Sequence, residues 1–230
     1  MLDVLRDLKA SVRRRNMPAD VRRYLRLCRQ TGAVFIHIPK TGGKSMLRAL
    51  YGLDTHEGPG HATAAFYAAA LGPSTWKRGV KIAVMRDPWE RAYSAYTFAL
   101  AGGFKLPADD HRKAALHGVS FPEFVARLSE EDALRSDLLM RPQTSFLRLA
   151  DGSLCDVELL RTESLAEDAA RLAARRGLPI DPVPHANRSR PIDEDQRQSD
   201  REATIGIIRG VYAADYDLLR TRFGDPAAGA

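Results

Sequence analysis

The chain contains only two cysteines in 230 residues, Cys28 and Cys155, and they lie far apart in the sequence. Neither belongs to a CxxC pair or to a Cys/His group with the spacing of metal ligands. The sequence therefore predicts no disulfide framework and no structural zinc site. We expect both thiols to be reduced and buried, and we predict that the protein binds no metal.

Long apolar runs are also missing. No window approaches the roughly 18 continuous apolar residues of a membrane-spanning helix. The opening segment MLDVLRDLKASVRRR carries charges throughout and lacks the apolar core and cleavage site of a secretory signal. These absences predict a soluble protein with no membrane span and a cytoplasmic location.

The charge that is present is biased towards one sign. The chain has 35 Lys and Arg residues against 29 acidic residues, a formal net charge of +6, and much of the excess lies before residue 30. A basic surplus favours anionic ligands such as nucleic acid, an anionic polysaccharide or a phosphorylated cofactor. It is also typical of the solvated face of a surface helix. Charge alone therefore leaves the ligand open.

The alternation of strand and helix patterns indicates the fold class. Residues 1–30 are predicted to form an N-terminal helical arm, and a single domain over 31–224 is predicted to follow. Three short, mostly apolar runs, each leading towards a helix, are predicted strands: 33–38, 80–85 and 154–160. This order predicts an α/β fold of P-loop-like, three-layer form, in which helices flank a mainly parallel sheet.

Helix boundaries are predicted from prolines and capping boxes. A serine followed three residues later by an acidic residue predicts three helix starts: Ser120/Glu123, Ser129/Asp132 and Ser164/Glu167. Further helices are predicted over 45–51, 61–71, 88–98 and 200–223, with a long loop over 179–200. Ligands of such folds bind beyond the carboxyl ends of the strands, where the loops 39–45 and 86–88 are predicted to open.

Residues 39–45, PKTGGKS, have the features of a phosphate-binding loop. Between a predicted strand and a predicted helix, they combine backbone N–H groups, two glycines and the positive end of a helix dipole. The nucleotide-triphosphatase pattern GxxxxGK[ST] requires glycine at position 38, where this chain has Ile38. Because Gly43, Lys44 and Ser45 complete the second half of that pattern, an ATP-dependent P-loop kinase stays an alternative.

A second motif, VMRDPWERAYSAY, occupies residues 84–96. Together with FIHIPKTGGKS at 35–45, it resembles the paired phosphate motifs of PAPS-dependent sulfotransferases. The resemblance is greatest to the carbohydrate type, which includes heparan sulfate 2-O-sulfotransferase and its bacterial relatives, and it extends over most of 33–217. It implies that 31–224 is a sulfotransferase domain, with PAPS as donor, PAP as product and a hydroxyl, on a saccharide, as acceptor.

PAPS carries a 5′-phosphosulfate and a separate 3′-phosphate, so its binding requires two anion-binding elements. The resemblance implies that Lys40 and the loop backbone hold the 5′ end, and that Arg86 and Ser94 hold the 3′-phosphate through charge-assisted and hydroxyl hydrogen bonds. The residues implied in cofactor binding are therefore Lys40, Thr41, Gly42, Gly43, Lys44, Ser45, Arg86 and Ser94.

Sulfuryl transfer requires a cation at the leaving phosphate oxygen and a base for the acceptor hydroxyl. Lys40 is the natural cation, and a histidine is the natural base because its pKa lies near neutrality. The resemblance implies a catalytic histidine of the Gly-His type at His61. His56 and His185 stay open as alternatives, whereas His37, within the first predicted strand, is predicted to be structural.

Lys44 departs from the family pattern, because relatives commonly have a small hydroxyl residue at this position. It adds positive charge at the 5′ site. A third class of function also stays open, a polyanion-binding module without catalysis. The basic arm and the arginine-containing late loop at 185–190 favour it. The chain lacks an evident RNP-like aromatic motif or zinc-finger pattern, so no nucleic-acid partner is predicted. The sequence does not define the acceptor or the oligomeric state.

Overall fold

A computed structural model describes residues 17–53, 57–102, 118–183 and 193–224. Its internal contacts divide the chain into two units. The first unit comprises Met1–Met85 and Ser145–Ala186, and the second unit comprises Arg86–Thr144 and Asn187–Ala230. The division into an arm over 1–30 and a domain over 31–224 stays a prediction, since residues 1–16 lie outside the described ranges.

Strands and helices alternate along the first unit, as predicted. The strands are β1 Ala33–Ile36, β2 Val80–Met85 and β3 Glu158–Arg161. The helices of the described residues are α1 Ala19–Thr31, α2 Gly43–Tyr51, α3 Ala64–Leu71, α4 Pro73–Arg78, α5 Pro88–Leu100, α6 Phe121–Glu130, α7 Asp132–Ser136, α8 Leu165–Arg176, α9 Glu194–Val211 and α10 Ala213–Phe223, with a 3₁₀ helix over Gln143–Leu147. None of these helices is both long and apolar enough to cross a membrane.

The three strands form a parallel sheet in the order β1-β2-β3. Ala33 lies opposite Val80, and Ile82 lies opposite Glu158. The inner strand is buried from Ile82 to Met85, because a parallel sheet covered by helices excludes water from both faces. An α/β class with a parallel sheet flanked by helices is thereby confirmed, while the P-loop-like, three-layer description stays a prediction.

Tyrosine hydroxyls satisfy the backbone along the outer edge of β1. Tyr51 of α2 donates to the carbonyl of Ala33 at 2.9 Å and accepts from the N–H of Phe35 at 3.1 Å. Tyr24 of α1 donates to the carbonyl of Phe35 at 2.6 Å. Buried backbone groups require partners, so α1 and α2 hold the strand that leads into the loop at 39–45.

Both cysteines are free and buried, as predicted. Burial raises the pKa of the thiol to about 11 in Cys28 and also to about 11 in Cys155. A thiol that stays protonated at neutral pH is a poor nucleophile. Neither cysteine is therefore suited to nucleophilic catalysis.

Several predicted boundaries in the first unit are wrong by a few residues. β1 ends at Ile36 instead of at 38, because the chain already turns towards the loop. β3 begins at Glu158 instead of at 154, and Leu154 makes only an isolated bridge. α3 begins at Ala64 instead of at 61, because the Thr63 hydroxyl accepts from the backbone of the first turn.

Two of the three predicted capping boxes do not form, although the helix start predicted at Ser164 is confirmed. The box at 120–123 is confirmed. Ser129 instead donates to the carbonyl of Ala126 on the preceding helix, and Ser164 donates to the carboxylate of Asp168. Serine hydroxyls bond readily to nearby acceptors of several kinds, so their spacing from an acidic residue does not define the partner.

The C-terminal region contains more helix than predicted. The helix expected over 200–223 is two helices, and α9 already begins at Glu194, where the Asp193 carboxylate caps it. The long loop expected over 179–200 therefore ends before α9, and its residues 184–192 lie outside the described ranges. The short helix α4 was not predicted.

Candidate active site

The segment between β1 and α2 forms the predicted phosphate-binding loop. Gly42 caps α2 with a φ of +83°, and Gly43 is the first residue of the helix. Lys40 has a φ of +66° and is the one non-glycine residue with positive φ in the described ranges. Such a conformation costs about 1–3 kcal/mol and is concentrated at functional sites. The turn thus places a cation directly before the start of a helix.

Thr41 links the loop to the other strands. Its hydroxyl donates to the carbonyl of Ile38 at 3.0 Å, and its carbonyl accepts from the hydroxyl of Thr162 at 2.9 Å. The N–H of Thr162 donates to the carbonyl of Met85, the last residue of β2. Because the strands are parallel, these segments leave the sheet at one edge. The sequence analysis assigned Thr162 no role, although its place just after a predicted strand was a usable signal.

His37 packs directly against the start of α2. A Cβ atom added to Gly43 would lie 2.0 Å from Cδ2 of His37, far inside contact distance. The ring of His37 also stacks on Phe35, with 5.8 Å between the ring centroids. Glycine is therefore required at position 43 by the imidazole, and these contacts fit the structural role that was predicted for His37.

The predicted base, His61, lies beside His37. Their ring centroids are 4.4 Å apart, and Nδ1 of His61 is 3.1 Å from the carbonyl oxygen of His37. A carbonyl oxygen only accepts, so neutral His61 carries its proton on Nδ1 and its lone pair on Nε2. The structure thus brings His61 to the segment that leads into Lys40 and defines which ring nitrogen is basic.

His37 itself is not a second base. Burial lowers the pKa of His37 from 6.5 to about 3, and positive charge on His61 and Lys44 acts in the same direction. The ring is therefore neutral at neutral pH. It does not compete with His61 for a proton, and it can pack closely against the helix without bringing in a charge.

The side chains of the loop differ in exposure. Lys40 and Ser45 are half-buried, whereas Lys44 is exposed. The N–H of Ser45 donates to the carbonyl of Gly42 at 3.1 Å, which tightens the first turn of α2. Charges in water are strongly screened. The charge of Lys44 therefore acts more weakly on a bound anion than a half-buried cation at Lys40.

From Arg86 onwards, the second predicted motif belongs to the second unit and leads into α5. The half-buried guanidinium of Arg86 donates to the carboxylate of Glu90 at 3.3 Å. Ser94, also half-buried, follows Glu90 by four residues on the same helix. Residues four apart share one face of a helix. The structure therefore places Ser94 one turn beyond the carboxylate that Arg86 contacts.

Three arginines meet at Glu90. Besides Arg86, its carboxylate binds Arg197 and, at 3.6 Å, Arg201, both from α9. The guanidinium groups of Arg197 and Arg201 lie 5.7 and 5.0 Å from the ring centroid of buried Trp89. The sequence analysis missed this cluster because 107 residues separate Arg197 from Glu90.

Another arginine of the same motif, Arg91, is completely buried. It donates to the carbonyls of Leu139 and Arg141, each at 2.8 Å. Its charge is therefore directed at the backbone of its own unit. These contacts are those of a structural residue.

The other candidate bases, His56 and His185, lie outside the described ranges, as do His111 and His117. The roles of His56 and His185 stay predictions. Within the described residues, no group of three or more His, Cys, Asp or Glu side chains is arranged to hold a metal ion. That the protein requires no metal stays a prediction.

Comparison with known proteins decides the family. A profile described as the sulfotransferase family matches residues 23–220, most of the 230-residue chain. The chain belongs to the sulfotransferase family. A search of curated proteins and a search of solved structures each found no match.

Family membership identifies the chain as a transferase for sulfuryl groups. It implies a nucleotide donor and a hydroxyl acceptor. The matched range contains both motifs, residues 39–45 and 84–96, together with His61. The roles of individual residues in this sulfotransferase stay predictions.

Changing Gly43 to alanine is expected to destabilise the sulfotransferase. The new methyl group collides with the ring of His37, and overpacking of this kind costs about 1–3 kcal/mol. Gly206→Ala is the matched control, because nothing lies within 4 Å of its added Cβ. In a helix interior this control should be stabilised by about 0.5–1 kcal/mol. Urea unfolding measures both, and a Gly43→Ala protein as stable as the control would contradict the packing described for His37.

His37 is expected to make stability depend on pH. Its folded pKa of about 3 lies below the ordinary value of 6.5, so the unfolded chain binds a proton that the folded chain excludes. The free energy of unfolding should therefore fall as the pH drops from 6.5 towards 3. A His37→Asn variant should lack this dependence of the unfolding free energy on pH. Urea unfolding at a series of pH values compares the variant with the wild type. Parallel curves would show that His37 titrates normally in the fold.

Proposed function

We propose that this sulfotransferase uses PAPS as donor and transfers the sulfuryl group to a hydroxyl of a carbohydrate, releasing PAP. The observation that carries the proposal is the placing of His61 against the carbonyl of His37, next to the phosphate-binding loop at 39–45. A cation and a base at the carboxyl edge of one parallel sheet are the two groups that the reaction requires.

PAPS carries two separate anionic groups, and the proposal assigns one set of residues to each. Lys40 and the backbone of residues 41–45 are proposed to hold the 5′-phosphosulfate, since the loop ends in the first turn of α2, where backbone N–H groups face an anion. Arg86 and Ser94 are proposed to hold the 3′-phosphate. When bound, PAPS supplies the sulfuryl group and a phosphate leaving group.

His61 is proposed to be the general base. Its Nε2 takes the proton of the acceptor hydroxyl while the acceptor oxygen forms its bond to sulfur and the bond from sulfur to the phosphate oxygen breaks. Nδ1–H keeps its hydrogen bond to the carbonyl of His37, which orients the ring and stabilises the imidazolium that results. The low pKa of His37 leaves the proton on His61.

Lys40 is proposed to neutralise the leaving phosphate oxygen. Because the side chain is half-buried, its charge acts through a lower effective dielectric than that of exposed Lys44. Its backbone is held in the left-handed region by the loop, so the point from which the side chain extends is set before the donor binds. Preorganised charge is the largest contribution to many enzymatic rate enhancements.

The carbohydrate acceptor is supported by the resemblance of the two motifs to the carbohydrate type of sulfotransferase. An ATP-dependent kinase is the second candidate, because Gly43, Lys44 and Ser45 complete half of the triphosphatase pattern. A polyanion-binding module without catalysis is the third. The cytoplasmic location also stays a prediction.

Calorimetry with PAP and ATP, with and without Mg²⁺, is expected to separate these candidates. A PAPS-dependent enzyme should bind PAP without Mg²⁺ and at least about tenfold more tightly than ATP, a difference of about 1.4 kcal/mol. Mg²⁺-dependent binding of ATP with no binding of PAP would establish the kinase instead. Binding of heparin alone, weakening steeply with salt, would favour the polyanion module.

Changing His61 to alanine is expected to abolish turnover while sparing PAP binding. Loss of a general base lowers kcat by about 10²–10⁴-fold, whereas binding of the product requires no proton transfer. Sulfation of an oligosaccharide acceptor measures the first effect and calorimetry the second. His111→Ala, a histidine outside both motifs, should match the wild type in both, and retained activity in His61→Ala would move the role of base to another histidine.

A further inference from the structure

The backbone of Arg86 is held by one buried side chain, that of Gln143. The N–H of Arg86 donates to Oε1 of Gln143 at 3.0 Å, and Nε2 of Gln143 donates to the carbonyl of Arg86 at 2.9 Å. Both distances are those of well-formed hydrogen bonds. The side-chain amide of Gln143 thus bonds to both backbone groups of Arg86, as the backbone of a neighbouring β-strand would. Both polar atoms of the amide have a partner.

Gln143 is itself fixed by a buried carboxylate. Asp215, at the start of α10, accepts from the N–H of Gln143 at 2.7 Å and from the N–H of Thr144 at 2.8 Å. Gln143 and Asp215 are both fully buried. Hydrogen bonds to an ionised acceptor are about twice as strong as neutral ones. The backbone of Gln143 therefore cannot shift easily, and this holds its side-chain amide in place.

The segment before Gln143 is fixed as well. Arg91 donates to the carbonyls of Leu139 and Arg141, and the hydroxyl of Tyr212 donates to the carbonyl of Met140 at 2.5 Å. Consecutive carbonyls are thus held from α5 and from the residue between α9 and α10. The chain has little freedom to rotate by the time it reaches Gln143.

The other end of Arg86 is held by Glu90, at 3.3 Å from the guanidinium. Glu90 is in turn held by Arg197 and Arg201. The arginine is therefore fixed at its backbone by Gln143 and at its guanidinium by Glu90. Fixing a long side chain before a ligand arrives lowers the entropy that binding costs, which is about 0.5–1.5 kcal/mol for a flexible side chain.

We infer that Gln143 is a positioning residue for Arg86, and that it sets the strength with which the protein binds the 3′-phosphate of its nucleotide. The inference rests on the proposed function, in which Arg86 contacts that phosphate. Gln143 acts only through Arg86. Its loss should consequently weaken the recognition of one phosphate group and leave the rest of the nucleotide unaffected.

The test compares two ligands that differ only in the 3′-phosphate, PAP and adenosine 5′-monophosphate. Gln143→Met keeps the length of the side chain and removes both hydrogen bonds to Arg86. It should reduce the ratio of the two affinities by about five- to tenfold, as the loss of a hydrogen-bonded contact does, with 5′-monophosphate binding unchanged. Arg86→Ala should reduce the ratio further, and in the double variant Gln143→Met should add nothing, because the two residues act as one unit.

Tyr96→Phe is the matched control, because it also removes the hydrogen bond of a polar side chain in the same unit. It removes a hydroxyl that donates to the carbonyl of Val119 at 2.6 Å, and the affinity ratio should stay at the wild-type value. If Gln143→Met fails to fold, as a thermal unfolding curve would show, Gln143→Glu keeps an acceptor for the N–H of Arg86 and is judged by the same ratio.

The outcomes separate the two levels of the proposal. A wild-type protein that binds both nucleotides equally, or neither, contradicts the proposed function, and the inference about Gln143 falls with it. In the other case the wild type prefers PAP, and the Gln143 variant either keeps this preference or loses affinity for both nucleotides by the same factor. This result overturns the inference about Gln143 and leaves the proposed function standing.

Discussion

The close approach of His37 to Gly43 is the constraint on which the proposed active site depends. The imidazole ring occupies the space where any other residue at 43 would place its Cβ. The carbonyl of the same histidine holds His61, and the chain that follows carries Lys40 in a left-handed conformation. One buried, neutral histidine thus sets the start of the helix through its side chain and the orientation of the proposed base through its backbone carbonyl.

Polar side chains perform the same task elsewhere, because they pair with backbone groups that have no partner on a neighbouring strand. Tyr51 pairs with the outer edge of β1, Thr162 pairs with the loop at 39–45, and Gln143 pairs with Arg86. A buried N–H or carbonyl without a partner costs free energy. Each of these contacts therefore favours one backbone geometry over its alternatives, which is how a binding site stays organised without a ligand.

Local patterns predicted well where the structure depends on neighbours in the sequence. β2 was predicted residue for residue, because a continuous apolar run between turn residues is typical of an inner parallel strand. The break between α9 and α10 at Tyr212 was not predicted, because the hydroxyl of that residue binds the carbonyl of Met140 in a distant segment. The capping box at Ser129 failed for a similar reason, since a competing carbonyl took the hydroxyl.

The family, the order of the three strands with the helix that follows each, and the two motifs at 39–45 and 84–96 were determined by the sequence itself, since each is carried by residue types at short spacings. The tertiary structure alone decided that His61 meets His37, 24 residues away, that Gln143 holds Arg86, 57 residues away, and that Arg197 reaches Glu90, 107 residues away. Contacts at such separations follow no period along the chain. They depend on how buried helices and strands pack, which fixes the partners only when the fold is complete.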